Sequence, residues 1–236
     1  MHETPGPAAI YLLAGGSGMR STRKDPLLTR AIASCGVSEP SIAYIGAASG
    51  DDRQFFKMIS AFMRNCGAGD VKLAELAGRR VTIDRTRSIL ESADMIFVSG
   101  GDVEEGMEVL KEREMLPLLR MLHEGGTPFL GLSAGSIMLA REWIVWDDPN
   151  DDATSSTFPC MGLAQILCDT HGEGEGWEEL RALMLLAPEG TFGYGIPAGA
   201  GLCVYPDGRL EALGDPVHCF AKIDRMVRRR ANLEPC

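Results

Sequence analysis

The chain has 236 residues, 45% of them apolar and 24% charged, with a formal net charge of −10. That balance is ordinary for a globular protein able to bury its own core. Its acidity argues against nucleic acid as a partner, because a phosphate-binding surface needs a basic excess.

Ala9 to Leu13 (AIYLL) is a short apolar run ending at Gly15-Gly16, and it reads as a strand. Glu3 precedes it, and the run Ala8 to Ala14 is too short for a signal-peptide core with a cleavage site. Ser41 to Ala47 is a second strand, ending in Ala48-Ser49-Gly50. From Asp51 to Cys66 the residues Phe55, Ile59, Phe62, Met63 and Cys66 share one helical face, and Gly67 stands where a helix C-cap is expected. Met95 to Ser99 predicts a third strand, ending at Gly100-Gly101, followed by helices over 103–112 and 115–124. Pro128 to Leu132 is a fourth strand, running into Ser133. The polar stretch Asp147 to Pro159 predicts a surface loop near the site. Gly199 to Val204 and Arg209 to Leu213 flank Pro206-Asp207-Gly208, a hairpin signal. Val217 to Lys222 adds a strand to what reads as an antiparallel edge on the same sheet. Arg225, Arg228, Arg229 and Arg230 read as a solvated helix end.

Short, continuously apolar strands separated by helices predict an α/β fold with a mostly parallel sheet covered on both faces. One domain over 1–236 is expected. No apolar stretch approaches the ~20 residues that span a bilayer. Seven cysteines, at 35, 66, 160, 168, 203, 219 and 236, are irregularly spaced and lack a Cys-x-x-Cys pair. That pattern suits free thiols in a reducing compartment, so the cytoplasm is the expected location.

Gly131-Leu132-Ser133-Ala134-Gly135 is a G-x-S-x-G string between an apolar strand and a helix-compatible run. A serine on such a turn projects its hydroxyl from a strained backbone, and small flanking residues avoid clashes. A serine nucleophile needs a base. Among four histidines, His2 sits in the N-terminal end and His123 late in a helix before Gly125-Gly126. His171 opens a glycine-rich turn after an apolar stretch, which favours it over His218. The Ala134 and Gly101 N–H groups are the candidate oxyanion donors. Gly15-Gly16-Ser17-Gly18 lacks the features of a dinucleotide or phosphate loop. The carboxylates at 147, 148, 151 and 152 do not match a calcium-loop spacing.

These residues resemble peptidase family S51, which contains aspartyl dipeptidase (peptidase E) and cyanophycinase. The resemblance runs from about Ala9 to about Leu213. It rests on Ser41–Gly46, on Phe97-Val98-Ser99-Gly100-Gly101-Asp102, on Gly131–Ser136, and on His171 some 38 residues after the serine. It implies a three-layer fold like that of class I glutamine amidotransferases. It further implies a serine peptidase acting on small peptides through an acyl-enzyme on Ser133, with His171 as base. Gly101 and Ala134 match the oxyanion positions, and Asp148 falls at the distance of an orienting acid, with Glu173 as another candidate. Gly100, Asp102 and Arg181 are the expected substrate-binding residues. Gly195-Ile196-Pro197-Ala198 lacks the carboxylate that the family often has in that segment. Glu173, Glu175, Glu178 and Glu179 stand where aspartyl dipeptidases carry arginines, so the acidic rim favours a basic or neutral substrate side chain. No metal or organic cofactor is called for. The expected partner is a small peptide rather than nucleic acid or membrane, with a homodimer left open. The alternatives are an α/β-hydrolase-type esterase with His218 as base, and a non-catalytic sensor on the same fold.

Overall fold

The structure, a computed structural model, describes residues 6–15, 24–78, 80–148 and 151–235. His2, the turn read at 15–18 beyond Gly15, and Cys236 lie outside the described residues. The strands are β1 (Ile10–Leu13), β2 (Ile42–Ile45), β3 (Val71–Ala74), β4 (Met95–Val98), β5 (Phe129–Leu132), β6 (Glu142–Trp146) and β7 (Ser155–Pro159). They continue with β8 (Leu167–Thr170), β9 (Phe192–Ile196), β10 (Ala200–Val204), β11 (Leu210–Gly214), β12 (His218–Ile223) and β13 (Met226–Arg229). The helices are α1 (Pro26–Ala33), α2 (Arg53–Asn65), α3 (Ile83–Glu91), α4 (Val103–Glu112), α5 (Leu116–Glu124), α6 (Ala134–Leu139) and α7 (Glu178–Leu186).

The central sheet has the order β11-β10-β1-β5-β4-β2-β3. Its five early strands run parallel, and β10 and β11 add an antiparallel edge. Both faces are covered, so the strands are apolar on both sides. Side chains alternate along each strand. Ile10 and Leu12 of β1 enter one buried cluster with Ile45, Val98 and Phe129. Tyr11 and Leu13 enter the other, with Tyr44, Phe97, Leu132 and the apolar face of α2.

Helix α2 begins two residues later than expected, at Arg53. Asp52 caps it, its carboxylate accepting from Gln54 and Phe55 N–H. Asp51 instead takes a left-handed conformation, and its buried carboxylate accepts from Leu76 and Ala77 N–H. A carboxylate accepting two amides fixes the 47–49 turn in front of it against the segment that follows β3.

Three expectations are corrected. The strand expected at 217–222 is β12, and it belongs to a second sheet, β13-β12-β9-β8, rather than to the central one. The arginine cluster is not a helix end. Ile223 pairs with Met226, so Asp224 and Arg225, both at positive φ, form a two-residue hairpin turn into β13. The polar stretch after Asp147 ends as β7, which pairs with β6.

Candidate active site

Strand β5 runs straight into Ser133, whose backbone sits at φ 53°, ψ −124°, a region that costs a non-glycine residue energy. Neighbouring bonds hold it there. Ser133 N–H donates to Leu13 O at 2.8 Å, Ser136 N–H to Ser133 O at 2.8 Å, and Ser136 Oγ–H to Leu13 O at 2.9 Å. Glycine is required beside it: a methyl group at Gly135 would lie 2.1 Å from Val98 O. Ser133 is half-buried at the C-terminal end of the parallel strands, where open α/β sheets bind ligands.

Gly101, after β4, is the second fixed point. A methyl there would fall 1.9 Å from Ala48 O, and its φ of +147° suits only glycine. Asp102 N–H donates to Ala48 O at 2.8 Å, which pins the Gly101 turn to the 47–49 turn. Neither the Gly101 nor the Ala134 N–H donates to a backbone carbonyl among the described residues.

His171 follows β8 in a left-handed conformation (φ 67°, ψ 9°) and is exposed. Ser133 and His171 line the same two openings. One, of about 410 Å³, includes Ala14, Ser49, Phe55, Gly100 and Gly101. The other, of about 590 Å³, includes Ala134, Asp102, Trp143, Asp169 and Glu179. The sequence-predicted serine, histidine and both oxyanion glycine and alanine are therefore brought together, with Gly100.

The loop carrying His171 is anchored from beneath by Trp177. The indole is 2% exposed, and its N–H donates to His218 Nδ1 at 2.8 Å. A methyl on Gly172 or Gly195 would collide with that indole, at 2.8 and 2.6 Å. Burial first, then Arg229, pushes the His218 imidazole below its ordinary value, against an opposing pull from Glu173. His218 lines neither opening, so the arrangement with His218 as base for Ser133 is not formed. His123 Nε2 lies 3.1 Å from Ala8 O and its ring packs edge-on to Phe129, a structural position.

Asp148 is not among the residues that line the openings with His171. It is exposed on the turn after β6, where its N–H donates to Thr154 Oγ1. Glu173 accepts from Ala198 N–H at 3.1 Å, tying the histidine loop to the segment after β9. Arg181 faces a neighbouring cleft with Trp146, Glu178 and Arg225. Asp102 caps α4, its carboxylate accepting from Glu105 N–H. Of the carboxyls lining the larger opening, the buried one is Asp169, which sequence reasoning passed over. It is 4% exposed, two residues before His171 on β8. Burial raises its pKa to about 7, against the Thr170 N–H it accepts, and Glu179, Glu173 and Glu175 push it further up. A carboxylate inside an apolar strand, in period-two register with a candidate histidine, was the available signal.

The sequence model described as peptidase family S51 matches residues 11–209. Peptidase E of Pasteurella multocida (strain Pm70) is 30% identical over 141 residues, 55% of this chain and 60% of that protein. Peptidase E of Haemophilus influenzae (strain PittGG) is 27% identical over 143 residues, 58% of this chain and 61% of that protein. The match thus spans about three fifths of the length of these relatives. Among solved structures, a peptidase from an acI-B1 Actinobacterium superposes with a TM-score of 0.68 at 14% identity, covering 98% of both chains. A putative peptidase E from Listeria monocytogenes EGD-e gives 0.64 at 13% identity, covering 88% of this chain and 98% of that one. At such identities the superpositions speak for the fold.

Proposed function

The chain belongs to peptidase family S51, and from that premise we propose that it is a serine peptidase that hydrolyses small peptides through an acyl-enzyme on Ser133. The reading rests on one observation above others: the strained Ser133 and the exposed His171 wall the same openings. In the proposed cycle the Ser133 hydroxyl attacks the scissile carbonyl carbon while His171 takes its proton. His171 then gives that proton to the departing amine, leaving the acyl group on Ser133 Oγ. Water, deprotonated by His171, attacks the ester and releases the acid. The Gly101 and Ala134 N–H groups receive the oxyanion in both halves, at roughly 3 kcal/mol per donor.

We assign the acidic member of the site to Asp169 in place of Asp148, since it is the buried carboxyl in the opening shared by Ser133 and His171. Asp102, Glu104, Asp147, Asp169 and Glu179 line that opening and make it acidic, which supports a basic or neutral substrate residue over an aspartyl one. The test is hydrolysis of a panel of Asp-X, Arg-X, Leu-X and β-aspartyl-arginine dipeptides. Turnover that vanishes in a folded Ser133→Ala chain supports the reading. Full turnover in that variant, or none of the panel cleaved by the wild type, overturns it.

A further inference from the structure

The Gly101 N–H is held by no backbone bond of its own among the described residues. Its place is set by contact with Ala48, which is 3% exposed. A methyl at Gly101 would lie 1.9 Å from Ala48 O and 2.9 Å from Ser49 N, so the two backbones touch. The next amide, Asp102 N–H, donates to Ala48 O at 2.8 Å. Gly106 of α4 packs on the same residue, since a methyl there would come within 3.0 Å of Ala48 Cα. The chain after β4 thus takes its position from one alanine.

Ala48 is in turn fixed by Asp51. The 47–49 turn closes on Gly46 O, which accepts from Ser49 N–H at 2.9 Å and from Asp51 N–H at 3.0 Å. Asp51 Oδ2 then accepts from Leu76 and Ala77 N–H at 2.6 and 2.7 Å, tying the turn to the segment that follows β3. Asp51 Oδ1 is buried without a hydrogen-bond partner among the described residues, and the backbone there stands at φ 56°. An unpaired buried acceptor and a non-glycine residue at positive φ both cost stability. Costs of that kind gather at functional sites. Ser49, between Ala48 and Asp51, lines the opening that holds Ser133 and His171.

We propose that Asp51, which lines neither opening, is a positioning residue for the oxyanion hole. Its carboxylate sets the 47–49 turn, and Ala48 then sets where the Gly101 N–H points. The proposal rests on the peptidase reading and deepens it. An oxyanion donor works only at hydrogen-bond distance from the developing charge, so a small drift of Ala48 weakens catalysis without touching the reacting groups.

The experiment compares kcat/KM of the full chain on the methyl ester of the best-cleaved N-terminal residue of the dipeptide panel and on the matching thionoester. The thionoester places sulfur, a poorer acceptor, in the oxyanion hole. Loss of folded protein lowers both rates alike and cancels in their ratio. Asp51→Gly removes the carboxylate and tolerates the left-handed backbone. It should lower the ester-to-thionoester ratio by about tenfold or more, toward the effect of losing one donor. Asp51→Asn keeps an oxygen for the two amides but not the charge. Its ratio should lie between those of Asp51→Gly and the wild type, and it is the deciding variant where Asp51→Gly does not fold. A wild-type ratio in the deciding variant, even with both rates reduced, makes Asp51 merely structural and overturns the proposal while leaving Ser133 chemistry intact. If the wild type hydrolyses no dipeptide and neither ester, the peptidase reading falls, and hydrogen exchange of the Asp102 amide decides whether Asp51 sets the turn. The reference is the Ile96 amide, which donates to Pro128 O in the central sheet. Exchange at Asp102 that quickens about tenfold more than at Ile96 in the deciding variant supports the role, and equal changes overturn it.

Discussion

Trp177 and His218 form a partly buried hydrogen-bonded pair, indole N–H to imidazole Nδ1 at 2.8 Å, beneath the loop that presents His171. Because Nδ1 is the acceptor, its lone pair must stay unprotonated for the bond to form. Protonation would set two donors against each other. His218→Ala should therefore loosen the loop rather than remove the chemistry, cutting activity several-fold with a lower melting temperature, whereas His171→Ala abolishes turnover. The folded imidazole is pushed below its ordinary value, so the unfolded chain binds the proton more readily. The contribution of this pair is complete above the ordinary histidine pKa and is lost as pH falls below it. Thermal melts of wild type and His218→Ala from neutral to mildly acid pH should converge.

Gly101→Ala should be among the most damaging small substitutions. The added methyl meets Ala48 O at 1.9 Å, and the backbone at φ +147° disfavours any side chain. The turn must shift away from the 47–49 segment, carrying its N–H off the oxyanion position. Losing one such donor costs about a hundredfold or more in kcat. Steady-state kinetics should show the loss mainly in kcat, with a destabilised fold by urea titration.

Asp169→Asn separates function from stability. The folded carboxyl has a pKa of about 7, above the ordinary 3.8, so between those values the folded chain holds more protons than the unfolded one. Stability therefore falls as pH rises through that window and levels off above about 7. An amide can still accept from Thr170 N–H and has no charge to bury. The variant should be more stable than wild type, by a margin that widens from pH 4 to pH 8, yet less active. Urea unfolding at several pH values and dipeptide turnover measure the two effects.

Asp148→Asn should leave activity within about twofold, because an exposed carboxylate outside both openings has little leverage on the reacting groups. A large loss of turnover with the fold intact would return Asp148 to the site and displace Asp169.

The parallel strands were legible in the sequence because strands buried on both faces are continuous apolar runs, and AIYLL, SIAYIGA, MIFVS and PFLGL each stop at a small-residue turn. The serine elbow was legible for the same reason: its small residues are demanded by backbone contacts. Strand β3 was not, since Lys72 at the sheet edge breaks its run. Helix α7 was hidden because Glu178 and Glu179 read as a charged rim, when they also form an acidic first turn that suits a helix N-terminus. The arginines at 225–230 carry helix-compatible propensity, and only the pairing with β12 makes them a hairpin. Asp148 was placed by distance along the chain. The lining of the opening shared by Ser133 and His171 points to Asp169 instead.

The most direct measurement is reaction of the folded chain with a fluorophosphonate, followed by mapping of the modified residue. The account predicts a single adduct on Ser133, absent in Ser133→Ala and formed far more slowly in His171→Ala. An unmodified Ser133 in the folded wild type, or a His171→Ala chain labelled as fast as wild type, would contradict it.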